Sequence, residues 1–251
     1  MNNFCFKLIL QYDGAAFHGW QVQPTERTVQ GELEAALFNL TGRASRVIGS
    51  GRTDTGVHAT GQVASVSTQA TWTADKLGRA LNAVLPEDIW IKSTSLVRSE
   101  FHPRYDAISR TYSYNLGLTE ESRSPFNHRW CWPLKIEADV SLLQELTQLI
   151  LGEHSFKSFA KSGQPERGYT CFIQEASWDP WKNLGLSLNI TGNRFLHHMV
   201  RYLVGTLTDI ATKKRPIGDF EILLNQPDSS MVTSPPAPPT GLFLTQVAYR
   251  E

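Results

Sequence analysis

The residue types that could support catalysis are concentrated in one short stretch of the chain. Residues 49–59 have the sequence Gly-Ser-Gly-Arg-Thr-Asp-Thr-Gly-Val-His-Ala and contain Arg52, Asp54 and His58. An aspartate can act as a covalent nucleophile, but burial opposes its ionisation unless a cation or hydrogen bonds support the charge. The same sequence also favours a plain turn, because an aspartate side chain often bonds its own backbone. The stretch alone leaves both interpretations open.

Strand signals flank this stretch, at Val47–Ile48 before it and at residues 62–66 after it. We expect Gly49, Gly51 and Gly56 to let the backbone turn where a Cβ would clash. A loop that is fixed by strands on both sides can hold reactive side chains in a constant relation. The flanking elements therefore favour a site as well as a turn.

The composition limits the classes of protein that need to be considered. The 251 residues suggest one large domain or two small ones, and 24 basic residues balance 24 acidic ones. Nucleic-acid binders often carry an excess of basic residues, so any RNA affinity must come from a local patch. Three well-separated cysteines, no signal-peptide pattern and no apolar run of about 20 residues predict a cytoplasmic protein with reduced thiols and no membrane span.

The first hundred residues show alternating strand and helix signals. In chain order, the predicted elements are a strand at 4–12, a helix at 29–40 capped by Thr28, strands at 47–48 and 62–66, a helix capped by Thr73 and ended by Pro86, and a strand at 88–97. This order is that of the ferredoxin-like split βαβ unit, in which helices cover one face of a sheet.

Residues 12–23 mix aromatic and amide side chains. Aromatic faces stack on bases, so a nucleic-acid surface is one interpretation of this segment. We favour the other interpretation, a loop that Phe17 and Trp20 hold on the core.

The second half has a similar order of elements. The predictions are a strand at 111–116, a helix opening at Ser141 with a capping box, strands at 169–178 and 184–191, a helix at 195–210 and a strand at 242–249. We therefore expect an α+β protein of two related subdomains, residues 1–103 and 104–251. Two such units would place a cleft between their sheets.

Several other kinds of chemistry lack their sequence signatures. His197 and His198 would project about 100° apart on the predicted helix, and HExxH, CxxC, GxxxxGK[ST] and GxSxG motifs are absent. We therefore expect no metal, no nucleotide cofactor and no serine-hydrolase triad. What remains is Asp54 together with arginines. Arg201, on an apolar helix, lies either on a solvated edge or paired inside a cleft.

The chain resembles the tRNA pseudouridine synthase A family in motifs along nearly its whole length. The motifs that carry the resemblance are Gly51–Ala59, Tyr12–Gly14 with Gly19–Gln21, Thr28–Gln30, Ala80–Asn82, Arg110 with Tyr112 and Tyr114, Phe195 with His198–Arg201, and Gly241 with Leu244 and Tyr249. Two departures are Thr55, where the family has alanine, and Ser155, where it tends to have aspartate. The second leaves the role of residues 153–159 open.

The resemblance implies conversion of uridine to pseudouridine at positions 38, 39 and 40 of the tRNA anticodon stem-loop, without cofactor or metal. It implies that Asp54 is the catalytic carboxylate, which attacks C1′, attacks the base or removes a ribose proton. It further implies that Arg201 pairs with Asp54 and keeps it ionised, that Tyr112 stacks on the uracil, and that Arg52 fills the space left by the flipped nucleotide.

The same resemblance implies two ferredoxin-like subdomains joined into one mostly antiparallel sheet, with helices on one side and a central RNA-binding cleft, and a homodimer that binds tRNA. Candidates for the basic patch are Arg43, Arg46, Arg79, Arg98, Arg104 and residues 213–215, although for each residue taken singly we favour an ordinary surface charge. Lys157 and Lys161 could contact phosphates, but solvated side chains are the simpler interpretation.

Two rival functions come from other classes. One is a non-catalytic RNA-binding protein on the same scaffold. The other is a glycosidase-like hydrolase, which would normally need a second carboxylate as acid or base. The stretch 49–59 offers no second carboxylate, although one could come from elsewhere in the fold.

Overall fold

A computed structural model describes residues 3–69, 72–161, 168–227 and 229–250. The described chain is α+β with mostly antiparallel strand pairs, which confirms the predicted fold class. It divides into two compact units, residues 1–108 with 243–251 (unit 1) and residues 109–242 (unit 2). The subdomain boundary at residues 103 and 104 stays a prediction. No helix in the described residues is long and apolar enough to cross a membrane.

Unit 1 has the predicted order of strands and helices. Its elements are β1 (Asn3–Tyr12), α1 (Val29–Thr41), β2 (Ile48–Gly49), β3 (His58–Gln69), α2 (Ala74–Val84), β4 (Ile89–Val97) and the last strand of the chain, β10 (Leu242–Tyr249), which lies in unit 1 from Phe243 onward. The order β, α, β, β, α, β is confirmed for the first hundred residues.

The strands of unit 1 form the sheet order expected of a ferredoxin-like unit. β1 lies between β4 and β3 and is antiparallel to both, while β2 pairs with β3. β10 pairs with β3 in the parallel direction, with Phe243 opposite His58. Alternate β1 side chains and the apolar stripes of the helices are fully buried: Phe6, Leu8, Leu10, Leu33, Leu37, Leu77 and Leu81. One face of this sheet is therefore a core that fixes β3 and the loop before it.

The ends of the two helices in unit 1 follow from local sequence chemistry. The side-chain oxygen of Thr28 accepts a hydrogen bond from the Gly31 amide at 3.3 Å, and that of Thr73 accepts one from the Lys76 amide at 3.4 Å. Gly42 ends α1 with a left-handed backbone, at a φ of 67°. These caps were predicted from the sequence, and they are confirmed.

The strands of unit 2 also pair mostly in the antiparallel direction. Its elements are β5 (Ala107–Gly117), β6 (Trp132–Pro133), α3 (Val140–Gln148), β7 (Gly152–Ser155), β8 (Thr170–Trp181), β9 (Gly185–Gly192), α4 (Met199–Ala211) and α5 (Gly218–Asn225). The strand order is β5, β9, β8, β7, and the short β6 pairs with β5 in parallel. The sequence did not predict β7, since four residues are too few to show a clear alternation.

Two predicted helix starts in unit 2 are wrong. The cap of α3 is Asp139, whose carboxylate accepts a hydrogen bond from the Leu142 amide at 3.0 Å, so the helix begins at Val140 and not at Ser141. The helix predicted from residue 195 begins only at Met199. The residue before it, His198, has a φ of 63°, and a left-handed backbone cannot continue a right-handed helix.

Candidate active site

Residues 50–57 form a loop between β2 and β3, called here the Asp54 loop. Its first amide, that of Ser50, donates a hydrogen bond to the Val63 carbonyl at 2.7 Å. At its centre, the Val57 amide donates to the Asp54 carbonyl at 3.1 Å and closes a turn. Asp54 therefore builds a turn with its backbone, while its side chain remains partly exposed.

The segment 13–20 fixes the backbone on both sides of Asp54. The Trp20 amide donates to the Thr53 carbonyl at 3.0 Å, and the Gly56 amide donates to the Phe17 carbonyl at 3.3 Å. Phe17 and Trp20 are buried, so the segment is held on the core as we expected. The position of the Asp54 backbone is thus set by a segment about 40 residues earlier in the chain.

Close packing explains some of the glycines but not all of them. A Cβ on Gly49 would lie 2.5 Å from the Trp20 indole, and Gly56 has a φ of 77°, so both positions require glycine. Gly51 lies in open space with no positive φ, so the expectation that a Cβ would clash there is wrong. Gly19, in the opposing segment, combines a φ of 85° with a Cβ position 2.6 Å from the Thr53 carbonyl oxygen.

A buried hydrogen-bond network lies beneath the loop. The Ser50 hydroxyl donates to Gln62 Oε1 at 2.7 Å, and Gln62 Nε2 donates to the Gly51 carbonyl at 3.0 Å. The Tyr12 hydroxyl is 2.7 Å from the hydroxyl of Thr53, the residue before Asp54. All of these polar side chains are buried, and a buried network that lacks a member leaves its partners unsatisfied. We infer that the network holds the loop in a single conformation.

His58 connects the end of the loop to the turn after β1. Its Nδ1 accepts a hydrogen bond from the Gly14 amide at 3.0 Å and lies 3.1 Å from the Asp13 carboxylate. Its ring stacks on Phe243 with a centroid distance of 4.7 Å. His58 is buried and holds the end of the loop in place through these contacts. The side chain of Arg52, in contrast, is exposed.

Tyr112 and Arg110, two of the residues singled out from the sequence, lie two positions apart on β5 and therefore share one face of the strand. The Tyr112 ring is partly exposed and packs edge-to-face against Phe195 at 5.0 Å. Arg110 donates to the Asn193 carbonyl at 3.1 Å. This face of unit 2 presents an aromatic ring with a guanidinium group beside it, which suits stacking on a base.

Tyr114 has a different environment from Tyr112, although both belong to the same strand. Its ring is fully buried, and its hydroxyl donates to the Pro238 carbonyl at 2.8 Å. Burial raises the pKa of the Tyr114 phenol, with an opposing effect of the positive charge on Arg201. Tyr114 therefore packs in the core, and it stays protonated at neutral pH.

Arg201 lies on α4 and is fixed by the proline-rich segment before β10. Its Nε donates to the Ala237 carbonyl at 2.7 Å, and the Ala237 amide donates to the Arg201 carbonyl at 2.9 Å. A Cβ on Gly205 would lie 2.2 Å from the Pro235 carbonyl oxygen, so the helix and the segment are in close contact. The guanidinium group of Arg201 is thus oriented by the backbone of residues 235–237.

A comparison with protein families decides the identity of this arrangement. A family model described as tRNA pseudouridine synthase matches residues 8–106 and 146–250. The chain belongs to the tRNA pseudouridine synthase family. The matched ranges include Arg52, Asp54 and Arg201, whereas Tyr112 lies between them.

Individual relatives in this family extend the similarity to nearly the whole chain. The chain is 38% identical over 251 residues to the tRNA pseudouridine synthase A of Geobacter sp. (strain M21), with 98% of each chain covered. It is 41% identical over 249 residues to the tRNA pseudouridine synthase A of Maridesulfovibrio salexigens. This alignment covers 98% of this chain and 90% of the relative. It is 39% identical over 246 residues to that of Geobacillus sp. (strain WCH70), with 97% of each covered.

Some residues have structural roles that their sequence context did not predict. Nothing in the sequence indicated that Gln62 would be a buried hydrogen-bonding residue, because its partner Ser50 lies twelve residues earlier in the chain. The expectation that His197 and His198 project about 100° apart on a helix is wrong, since both residues precede α4 and their ring centroids lie 4.3 Å apart.

The expected basic and phosphate-binding residues have varied environments. Lys157 and Lys161 are exposed, as the simpler interpretation predicted. Arg215 does not project freely, since its Nε donates to Asp219 at 2.9 Å and one terminal nitrogen donates to the Val232 carbonyl at 2.7 Å. These bonds hold Arg215 on unit 2 and give it a structural role.

Proposed function

We propose that this chain isomerises uridine to pseudouridine in tRNA, at positions 38, 39 and 40 of the anticodon stem-loop, with Asp54 as the catalytic carboxylate. The observation that carries the proposal is the fixed Asp54 loop. Backbone hydrogen bonds from residues 17 and 20 and a buried network from β1 and β3 hold the residues on both sides of Asp54. A reactive group on rigidly held irregular backbone is the arrangement that a catalytic site needs.

The reaction rearranges bonds within one nucleotide. The bond between N1 of uracil and C1′ of the ribose breaks, the uracil turns, and C5 becomes bonded to C1′. The hydrogen on C5 leaves as a proton, and N1 gains one, so the reaction needs no oxidant or reductant. We accordingly propose that the enzyme uses neither a cofactor nor a metal. The carboxylate acts on C1′, on the base or on a ribose proton.

The substrate must leave the base stack before this chemistry can occur. Flipping a nucleotide costs a few kcal/mol, which aromatic stacking and a cation in the vacated space can offset. We propose that Tyr112 stacks on the uracil, since its ring is partly exposed and supported by Phe195. We propose that Arg52 occupies the vacated space, since its side chain is exposed beside Asp54. Arg201 is the proposed cation that keeps the carboxylate ionised.

The proposal extends to the assembly and location of the protein. We propose that it binds tRNA as a homodimer, that local basic patches supply the affinity because the net charge is zero, and that it works in the cytoplasm. Light scattering of the purified protein gives the assembly directly. A mass of one chain at micromolar concentration would contradict the homodimer without affecting the proposed reaction.

The test of the activity is product analysis on unmodified tRNA. Transcripts with uridine at position 38, 39 or 40 singly, and with cytidine at the other two, are incubated with the protein and digested to nucleosides. Pseudouridine from each transcript, and none from a transcript with cytidine at all three positions, supports the proposal. Pseudouridine at other positions would overturn the target assignment. Release of free uracil would indicate the hydrolase, and unchanged tightly bound tRNA would indicate a binding protein.

A further inference from the structure

A basic groove of about 720 Å³ lies in unit 1, where the end of α1, the following loop, the end of β3 and the start of α2 meet. We call it the β3-end groove. The lining residues that the argument uses are Arg43, Arg46, Ser67, Thr68, Trp72 and Lys76. No aspartate or glutamate is among the lining residues in the described part of the chain.

Two acidic residues on the adjacent helices, Asp75 and Glu34, have hydrogen-bond partners of their own. Asp75, beside Lys76, accepts a hydrogen bond from Arg79 at 2.6 Å. Glu34 on α1 accepts hydrogen bonds from the Val47 amide at 3.0 Å and from Gln30 at 2.9 Å. Because three basic residues and no acidic residue are among the described residues that line the groove, the lining favours an anionic ligand.

The chemistry of the lining fits a nucleic-acid backbone better than a small anion. Arginine, lysine, serine and threonine side chains are the usual partners of phosphate oxygens. An indole such as that of Trp72 adds a flat surface against which a base or a ribose can pack. With a volume of about 720 Å³, the groove is larger than a single phosphate group needs, so it suits consecutive phosphodiester units.

The lining of the groove begins near the Asp54 loop and extends away from it. Ile48, one of the lining residues, is two residues before that loop, whereas Ser67 lies nine residues beyond His58, the first residue of β3. At about 3.3 Å per residue, the separation between His58 and Ser67 is roughly 30 Å. A ligand that contacts both the residues around His58 and the Ser67 end of the groove must therefore be large.

We propose that the β3-end groove binds the phosphodiester backbone of tRNA at a point remote from the target uridine. This inference rests on the proposed function and deepens it, since it adds a second contact that recognises the body of the tRNA. The groove then contributes to affinity for whole tRNA, and it takes no part in the chemical step.

The test compares two double variants with the same loss of charge. Arg46→Gln with Lys76→Gln removes two exposed cations from the groove, and Lys92→Gln with Lys135→Gln removes two exposed cations outside it. Equilibrium binding of whole tRNA and of an isolated anticodon stem-loop is measured from 50 to 400 mM KCl. Thermal melting of each variant shows whether it is folded.

The groove variant is expected to bind whole tRNA roughly tenfold more weakly at low salt, and its slope of log K against log salt falls by about two. Its affinity for the stem-loop should equal that of the wild type, and the control should bind both RNAs like the wild type. Equal slopes for the two double variants would overturn the proposal. Equal weakening of whole tRNA and stem-loop would do so as well.

The proposed function has a separate readout in this experiment. The groove variant should still form pseudouridine at the wild-type rate when whole tRNA is saturating. If the wild type forms none, the proposed function fails, whatever the groove variant does in binding. If the wild type forms pseudouridine and the salt slopes do not differ, only the groove proposal fails.

Discussion

Gly14 and Val57 are in closer contact than any other residue type at position 14 would allow. A Cβ on Gly14 would lie 2.0 Å from the Val57 carbonyl oxygen and 2.4 Å from its carbonyl carbon. Both atoms are backbone, so no side-chain rotation can relieve the contact. The turn after β1 and the Asp54 loop therefore pack against each other through their backbones.

Replacing Gly14 with alanine is expected to displace the Asp54 loop. Overpacking of this kind costs about 1–3 kcal/mol in stability, and a small shift of a reactive group can cost about 100-fold in rate. Denaturant unfolding and single-turnover kinetics measure the two effects. The matched control is Gly218→Ala, because a Cβ there has no neighbour within 4 Å.

A Gly14→Ala protein with wild-type stability and rate would show that the loop does not depend on this contact. A destabilised Gly218→Ala protein would show that any glycine replacement perturbs the chain. Either result would remove the support that this contact gives to the proposed site.

The hydroxyl of Tyr12 offers a test of the buried network. Tyr12→Phe leaves the Thr53 hydroxyl without its 2.7 Å partner, which costs about 1–3 kcal/mol, and it should lower kcat because Thr53 precedes Asp54. Tyr249→Phe is the control, since its hydroxyl donates to the Pro103 carbonyl at 2.8 Å away from the loop. The control should lose stability but keep kcat. An equal kcat for the two variants would contradict a positioning role for the network.

The two tyrosines of β5 are expected to differ in function. Tyr112→Leu removes an exposed stacking surface, so we expect tRNA turnover to fall by about tenfold or more, since base–aromatic stacking contributes about 1–3 kcal/mol. Tyr112→Phe keeps the ring and should retain substrate binding. Tyr114→Phe leaves the Pro238 carbonyl without its partner and should lower the melting temperature while activity is retained. The reverse pattern would move the substrate contact from Tyr112 to Tyr114.

Arg201 should not be replaceable by lysine. A lysine cannot donate to the Ala237 carbonyl from the Nε position while it also presents a planar guanidinium group, so we expect a loss of about 100-fold in kcat. Arg215→Lys is the control, because this variant loses a hydrogen bond comparable to that of Arg201, the 2.9 Å bond from Arg215 Nε to Asp219. Wild-type kcat in Arg201→Lys, measured by tritium release, would remove Arg201 from the proposed site.

The raised pKa values of two buried thiols predict that the protein becomes less stable as the pH rises above about 9. Burial raises the pKa of Cys131 and of Cys171 to about 11 from an ordinary value near 9. Between about pH 9 and 11 the unfolded chain therefore loses these protons before the folded protein does, so the free energy of unfolding should fall as pH rises. Below about pH 9 these thiols should have no effect. Urea unfolding of the wild type and of Cys171→Ala across this range measures the contribution.

The sequence predicted most of the fold because its signals were local. Alternating apolar residues, the caps Thr28 and Thr73 and the glycine at position 42 each determine structure within a few residues. The start of α4 was placed wrongly because the left-handed backbone of His198 has no such local signal in this sequence.

The supporting residues of the candidate site could not be predicted in the same way. Asp54 stood out by its motif, but its environment depends on partners that are distant in the chain. His58 receives a hydrogen bond from the amide of residue 14, and Thr53 meets the hydroxyl of Tyr12. Such pairings follow from the strand register, which a pattern of single residues does not specify.

The most direct test of the central claim is tritium release from tRNA labelled at C5 of uridine, with the wild type compared to Asp54→Asn. Formation of a bond between C5 and C1′ must expel that hydrogen. We predict that the wild type releases tritium, that Asp54→Asn releases none above background, and that the variant binds tRNA with wild-type affinity. Release by Asp54→Asn at the wild-type rate, or no release by a folded wild type that binds tRNA, would contradict the account.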